Sequence, residues 1–151
     1  MSKIFKDKNK EELVNISVED IKISGEIIQR IDKNDCYKIS DLTKRLTYLL
    51  PAVAMVLSEF KGRELYLNGL TSITEEVAKA LSKFKGNLLT LNGLTSITEE
   101  VAIALSQFKG EKLYLNGLTS ITEEVAIALS EFKGEELQLK DLLLFPKKWQ
   151  G

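Results

Sequence analysis

Three glutamate pairs, Glu75-Glu76, Glu99-Glu100 and Glu123-Glu124, are the first residues whose type and spacing suggest chemistry. Paired carboxylates can bind Ca²⁺ or divide general-acid and general-base work between them. Each pair here is adjacent in sequence, however, and neighbouring residues on a helix do not face one another. Each also precedes an apolar helical pattern, where acidic side chains complement the positive end of the helix dipole. The pairs are therefore assigned to helix starts, with no catalytic or metal role. The chain has no histidine and so lacks the commonest general base and metal ligand. Its single cysteine, Cys36, can build neither a cysteine-rich zinc site nor an internal disulfide. No phosphate-loop glycine spacing occurs. A protein that is not an enzyme and uses no cofactor is expected.

Binding chemistry offers more. Asn68-Gly69, Asn92-Gly93 and Asn116-Gly117 form a second triplicate. Each glycine is expected to supply a turn conformation and each amide to bond backbone, while the amide row remains a candidate contact surface. Between inward-facing leucines lie Tyr66, Thr90, Tyr114 and Gln138, preceded by Glu64, Leu88, Lys112 and Glu136. On strands ~4.8 Å apart these become adjacent rows, and tyrosine is enriched in interface hot spots. Tyr66, Asn68, Thr90, Asn92, Tyr114, Asn116 and Gln138 are thus the candidate partner-binding residues. A second candidate patch is Ile103 with Ile127, which take the place of Lys79 on an outward helical position. Position 83 of the same helical half runs Lys83, Gln107, Glu131 and reads as a solvated face.

The elements that position these residues follow from a 24-residue period, seen in Gly69, Gly93, Gly117 and in Phe84, Phe108, Phe132. Leu65, Leu67 and Leu70 open each unit with strand-like alternation. Val77, Ala80, Leu81 and Phe84 then give the i, i+3, i+4, i+7 stripe of a helix. Ser72 with Glu75 forms a candidate capping box, and Thr74 competes as N-cap. Lys85-Gly86 closes the unit, with the glycine expected in the left-handed cap conformation. One unit cannot bury its own apolar face, so neighbours must stack. Parallel strands ~4.8 Å apart and helices ~8–10 Å apart require the stack to curve. The predicted fold is α/β: a right-handed solenoid forming a short horseshoe or arc, strands on the concave face and helices on the convex face.

The unit LxLNGLTSITEEVAxALSxFKG resembles the leucine-rich repeats of uncharacterised bacterial proteins, over Leu65 to about Glu136. The resemblance implies protein–protein recognition. Leu70, Leu94 and Leu118 stand where the receptor-type repeat places its inward asparagine, so the usual asparagine ladder is not carried over.

The flanks divide the chain into a tail and capping segment (1–36), repeats (37–64 degenerate, then 65–88, 89–112 and 113–136) and a C-terminal cap (137–151). In the degenerate repeat, Tyr37-Lys38-Ile39-Ser40 is the expected strand, and Pro51 takes the early helical place of Glu75. Residues 1–12 are charged and expected to fray. Between these and the repeats, residues 13–34 read as a strand pair turning at Glu19-Asp20 or as helices, and alternation favours strands before Gly25 and a short helix after it. At the far end Lys140-Asp141 replaces Asn-Gly, Pro146 stops any helix, and Leu142, Leu144, Phe145 and Trp149 are expected to cover the last coil.

Lysine plus arginine total 21 against 22 acids, and the resulting net charge of −1 offers no footprint for nucleic acid or an anionic membrane. No apolar run approaches the ~20 residues of a membrane span, and the N-terminus lacks the apolar core of a secretory signal. A cytoplasmic location is expected. The leading functional expectation is a non-catalytic module that binds a partner protein through its concave face. The alternative is a structural, self-assembling homo-oligomer joined through Ile103 and Ile127 or through its apolar caps. Near-identical copies suit recent duplication and an engineered scaffold equally.

Overall fold

The computed structural model describes residues 16–32 and 39–142. Its architecture is α/β. Three helices come first: α1 (Val18–Asp32), α2 (Ile39–Thr43) and α3 (Pro51–Leu57). Strands and helices then alternate as β1 (Glu64–Tyr66), α4 (Glu75–Leu81), β2 (Leu88–Thr90), α5 (Glu99–Ser106), β3 (Lys112–Tyr114), α6 (Glu123–Leu129) and β4 (Glu136–Gln138). The strands form one parallel sheet in the order β1-β2-β3-β4. Its register steps by one sequence period, pairing Leu65 with Leu89, Leu89 with Leu113 and Leu113 with Leu137.

The core lies between sheet and helices, as the leucine and helical stripes require. Leu65, Leu67, Leu70, Val77, Ala78 and Leu81 are buried, as are their counterparts in the next two units. Just after the helix ends, Phe60, Phe84, Phe108 and Phe132 stack with ring centroids 6.2, 6.3 and 6.4 Å apart and near-parallel planes. Such offset stacking adds specificity to their apolar burial.

The N-cap is resolved in favour of threonine. Thr74, Thr98 and Thr122 each accept a hydrogen bond from the backbone N–H three residues on, at 3.2 Å, so serine with glutamate does not form the capping box. The expected left-handed glycine at the helix end is corrected. Helix α4 ends at Ser82 in a right-handed conformation, and no described glycine has φ in the left-handed region. Gly86 is small because its space is taken: an added Cβ would lie 2.3 Å from the Phe84 ring and 2.5 Å from the Arg63 carbonyl oxygen.

Gly69, Gly93 and Gly117 are also crowded by neighbouring backbone, and none has a left-handed φ. At Gly93 a Cβ would meet the Asn68 carbonyl oxygen at 2.2 Å and that of Leu70 at 2.5 Å; at Gly117 it would meet that of Asn92 at 2.1 Å. Asn-Gly does form the expected turn, closed by the Leu70, Leu94 and Leu118 N–H groups donating to the Leu67, Leu91 and Leu115 carbonyls at 3.3, 3.2 and 3.3 Å; the glycine is needed there for room beside the preceding unit's backbone.

The N-terminal expectation also changes. In place of strands before Gly25, α1 is a continuous helix passing through it. Asp20, Ile23, Ser24 and Ile27 are the buried residues, an i, i+3, i+4, i+7 set that overrides the local alternation. Ser17 starts the helix, its hydroxyl accepting from the Asp20 N–H at 3.0 Å. Asp20 in turn ties α1 to the chain 27 residues on: its carboxylate accepts from the Thr47 N–H at 2.8 Å and the Thr47 hydroxyl at 2.7 Å. Ile39 and Ser40 belong to α2 rather than to a strand of the degenerate repeat, while Tyr37 and Lys38 lie outside the described residues. Pro51 occupies the first turn of α3, as expected. At the C-terminal end Leu142 is buried; Leu144, Phe145, Pro146 and Trp149 lie outside the described residues.

Two glycines give opposite expectations under the same substitution. Gly93→Ala should destabilise by about 3 kcal/mol, because backbone cannot yield to the new methyl. Gly25→Ala, with nothing within 4 Å of the added carbon, should stabilise by about 0.5–1 kcal/mol through helix propensity. Urea denaturation of both variants checks the pair.

Asp20 adds a pH dependence. Burial alone would raise its carboxyl, but the bonds from Thr47 and Ser17 outweigh it and hold the group below its ordinary 3.8. A folded value below the unfolded one makes the contribution complete above that pH and lost as pH falls through the folded value. Asp20→Asn should cost about 2 kcal/mol at neutral pH. Its denaturation midpoint should converge on that of the parent chain as pH falls through the lowered folded value.

Candidate functional site

The sheet face turned away from the helices carries two rows of side chains, fixed by strand register. One is Glu64, Leu88, Lys112, Glu136 and the other Tyr66, Thr90, Tyr114, Gln138. The structure thus brings Tyr66, Thr90, Tyr114 and Gln138 side by side. Tyr66, Tyr114 and Gln138 are half-buried, whereas Thr90 is only 2% exposed and Leu88 only 8%. Thr90 is therefore corrected from an exposed contact to a covered one. It is a short side chain with a tyrosine in register on either side, and its hydroxyl has no hydrogen-bond partner.

Polar bonds along the rows fix the tyrosines. The Tyr66 hydroxyl donates to Glu64, and the Lys44 ammonium sits 5.2 Å from the Tyr66 ring centroid. Losing the phenolic proton would break the bond to Glu64, so that bond, helped by burial and the carboxylate charge, raises the Tyr66 phenol above 10.0. The Tyr114 hydroxyl donates to Glu136 at 3.3 Å, and the Gln138 amide donates to the same carboxylate at 2.6 Å. The bond from Gln138 is the main reason the Glu136 carboxyl lies below 4.5; partial burial opposes it, and Tyr114, Lys112 and Lys140 assist. An open depression of about 720 Å³ lies over Leu88, bordered by Glu64, Tyr66, Lys112 and Tyr114.

The asparagines occupy the adjoining corner. The Asn68 side-chain oxygen accepts from the Asn92 N–H at 2.8 Å, Asn92 from the Asn116 N–H at 2.9 Å, and Asn116 from the Lys140 N–H at 2.9 Å. Asparagines thus do form a ladder, two residues before the leucines at which the receptor-type comparison looked for one. Asn116 also donates to Gln138 at 3.0 Å, linking the ladder to the tyrosine network. The carbonyl half of each amide is committed to the frame. At Asn68 and Asn92 the NH₂ half has no hydrogen-bond partner among the described residues.

On the helical side Ile103 and Ile127 are 47% and 41% exposed, in neighbouring helices. Met55, at the equivalent place in α3, is 63% exposed, and the sequence reading missed it although it stands one period before Lys79. Lys79 itself pairs with Glu75 at 2.9 Å. The glutamate pairs are exposed at the starts of α4, α5 and α6. Among the described residues no cluster of three or more histidine, cysteine, aspartate or glutamate side chains suits a metal ion, and no helix is long and apolar enough to cross a membrane. No protein-family model matches the chain, and neither a curated protein nor a solved structure matches it.

Proposed function

We propose that this chain is a short leucine-rich-repeat solenoid acting as a non-catalytic, cytoplasmic protein-binding module. Support for the solenoid is the one-period step of the sheet and the widening across each unit. Strands are ~4.8 Å apart, while the stacked phenylalanines at the helix ends are 6.2–6.4 Å apart. A stack that is wider on one side bends, which puts the sheet on the concave face.

The observation that carries the binding role is the fixing of Tyr66 and Tyr114. Both rings stay partly exposed while glutamates hold their hydroxyls. Aromatic side chains ordered before binding lose little entropy on docking and make effective anchors. Gln138 and the NH₂ groups of Asn68 and Asn92 would supply polar contacts at the edges. A partner captured from the source cell should be lost when Tyr66→Ala and Tyr114→Ala are combined, with the circular dichroism spectrum unchanged. Undiminished capture would refute this face as the binding surface.

A second reading, self-assembly, is favoured by the exposed row Met55, Ile103 and Ile127. In that case sedimentation should show concentration-dependent oligomers that Ile103→Lys with Ile127→Lys returns to monomer. An oligomer that survives both changes would exclude the row.

A further inference from the structure

The loops that follow the helices carry a feature that neither the sheet face nor the isoleucine row uses. Each ends in Phe-Lys-Gly, so Lys61, Lys85, Lys109 and Lys133 recur once per unit, and all four are exposed. Lys83 lies beside them, and none of the five makes an ion pair with another described residue. Two hollows run along this edge. One of about 480 Å³ is lined by Ile31, Phe60, Lys61, Lys83 and Lys85, with Glu59 the only acid among the described residues lining it. The next, about 610 Å³, is lined by Phe84, Lys83, Lys85, Gln107 and Lys109, with no acid among the described residues lining it. They share Lys83 and Lys85, so together they make one groove with aromatic carbon in its lining and ammonium groups along it.

We propose that this groove docks an extended, acidic segment of a partner protein. Charge complementarity gives the sign: ammonium groups without carboxylate partners at an apolar groove recruit carboxylates strongly. The lysine period gives the conformation. The phenylalanines one residue before the lysines step by 6.2–6.4 Å, and alternate residues of an extended chain step by ~6.6–6.8 Å. Acidic residues at every second position would therefore meet Lys61, Lys85 and Lys109 in turn. The first hollow meets the depression on the tyrosine face at Phe60 and Gly62, but neither tyrosine lines the groove and none of its lysines lines the depression, so either site can fail without the other.

The test is fluorescence anisotropy with a labelled peptide of about ten residues alternating glutamate and threonine, a composition that keeps it extended. The alternating peptide should bind, weaken as salt rises, and lose at least about ten-fold in affinity against Lys85→Glu with Lys109→Glu. Lys85→Arg with Lys109→Arg should retain binding, and so should Tyr66→Ala with Tyr114→Ala. A peptide of the same residues with its glutamates in one block should bind more weakly. The proposal is overturned if the alternating peptide does not bind, if block and alternating peptides bind alike, or if charge reversal changes nothing. It is also overturned if sedimentation of the unliganded chain shows that the groove is filled by a second copy, with Lys85→Glu and Lys109→Glu giving monomer.

Discussion

Successive units approach closely where Asn-Gly follows each strand, and the rest of the structure is built around that approach. The missing Cβ of Gly93 lets the Asn68 and Leu70 carbonyl oxygens of the preceding unit lie where a methyl group would otherwise stand. The adjacent asparagine oxygen accepts the next unit's backbone N–H. A buried or half-buried donor left without a partner is costly, so the pair does two jobs at one corner: glycine permits the contact and asparagine satisfies it. On the opposite side of each unit, Gly86 and Gly110 make room in the same way for the Phe84 and Phe108 rings and for neighbouring backbone. With both corners fixed, the leucines of the strands and the apolar stripe of the helices can close on one core.

That frame explains why so few side chains are free to carry function. Inward leucines, capping threonines, glycines and phenylalanines repeat because each unit must meet the next in the same geometry. The variable residues lie on surfaces the stack leaves open: the tyrosine rows of the sheet, the outward row Met55, Lys79, Ile103, Ile127, and the edge beside the lysines. The ends are treated differently. Lys44 and Lys140 stand one period outside the asparagine series. Lys140 still donates its N–H to Asn116 but offers no oxygen to a following coil. At the other end, Asp20 bonds α1 to Thr47, fastening a helix over the first unit.

Much of this was legible in the sequence. The period, the inward leucines, the helical stripe and the proline at the start of α3 follow from side-chain spacing alone. The role of the glycines was not, because the same residue serves both left-handed backbone and close approach, and only the neighbouring unit distinguishes them. The threonine cap was an open choice between two side chains two residues apart. Between strands and helix, the α1 segment favoured strands because Ile16 with Val18 and Ile21 with Ile23 alternate on either side of Glu19-Asp20, while the decisive partners of Asp20, Ile23 and Ile27 come from elsewhere in the chain. Of the candidate site, the rows were predictable from register. The burial of Thr90 depends on the size of its two neighbours, and a position-by-position reading does not weigh that.

Amide hydrogen exchange on the Asn92→Ala chain tests most directly whether the Asn-Gly corner holds the units together. The Asn116 N–H, whose acceptor is removed, should exchange at least about ten-fold faster than in the parent chain. The Asn92 N–H, still bonded to Asn68, should change much less. If the Asn116 amide remains as protected as before, the corner does not hold the stack and the units are joined by their apolar core alone.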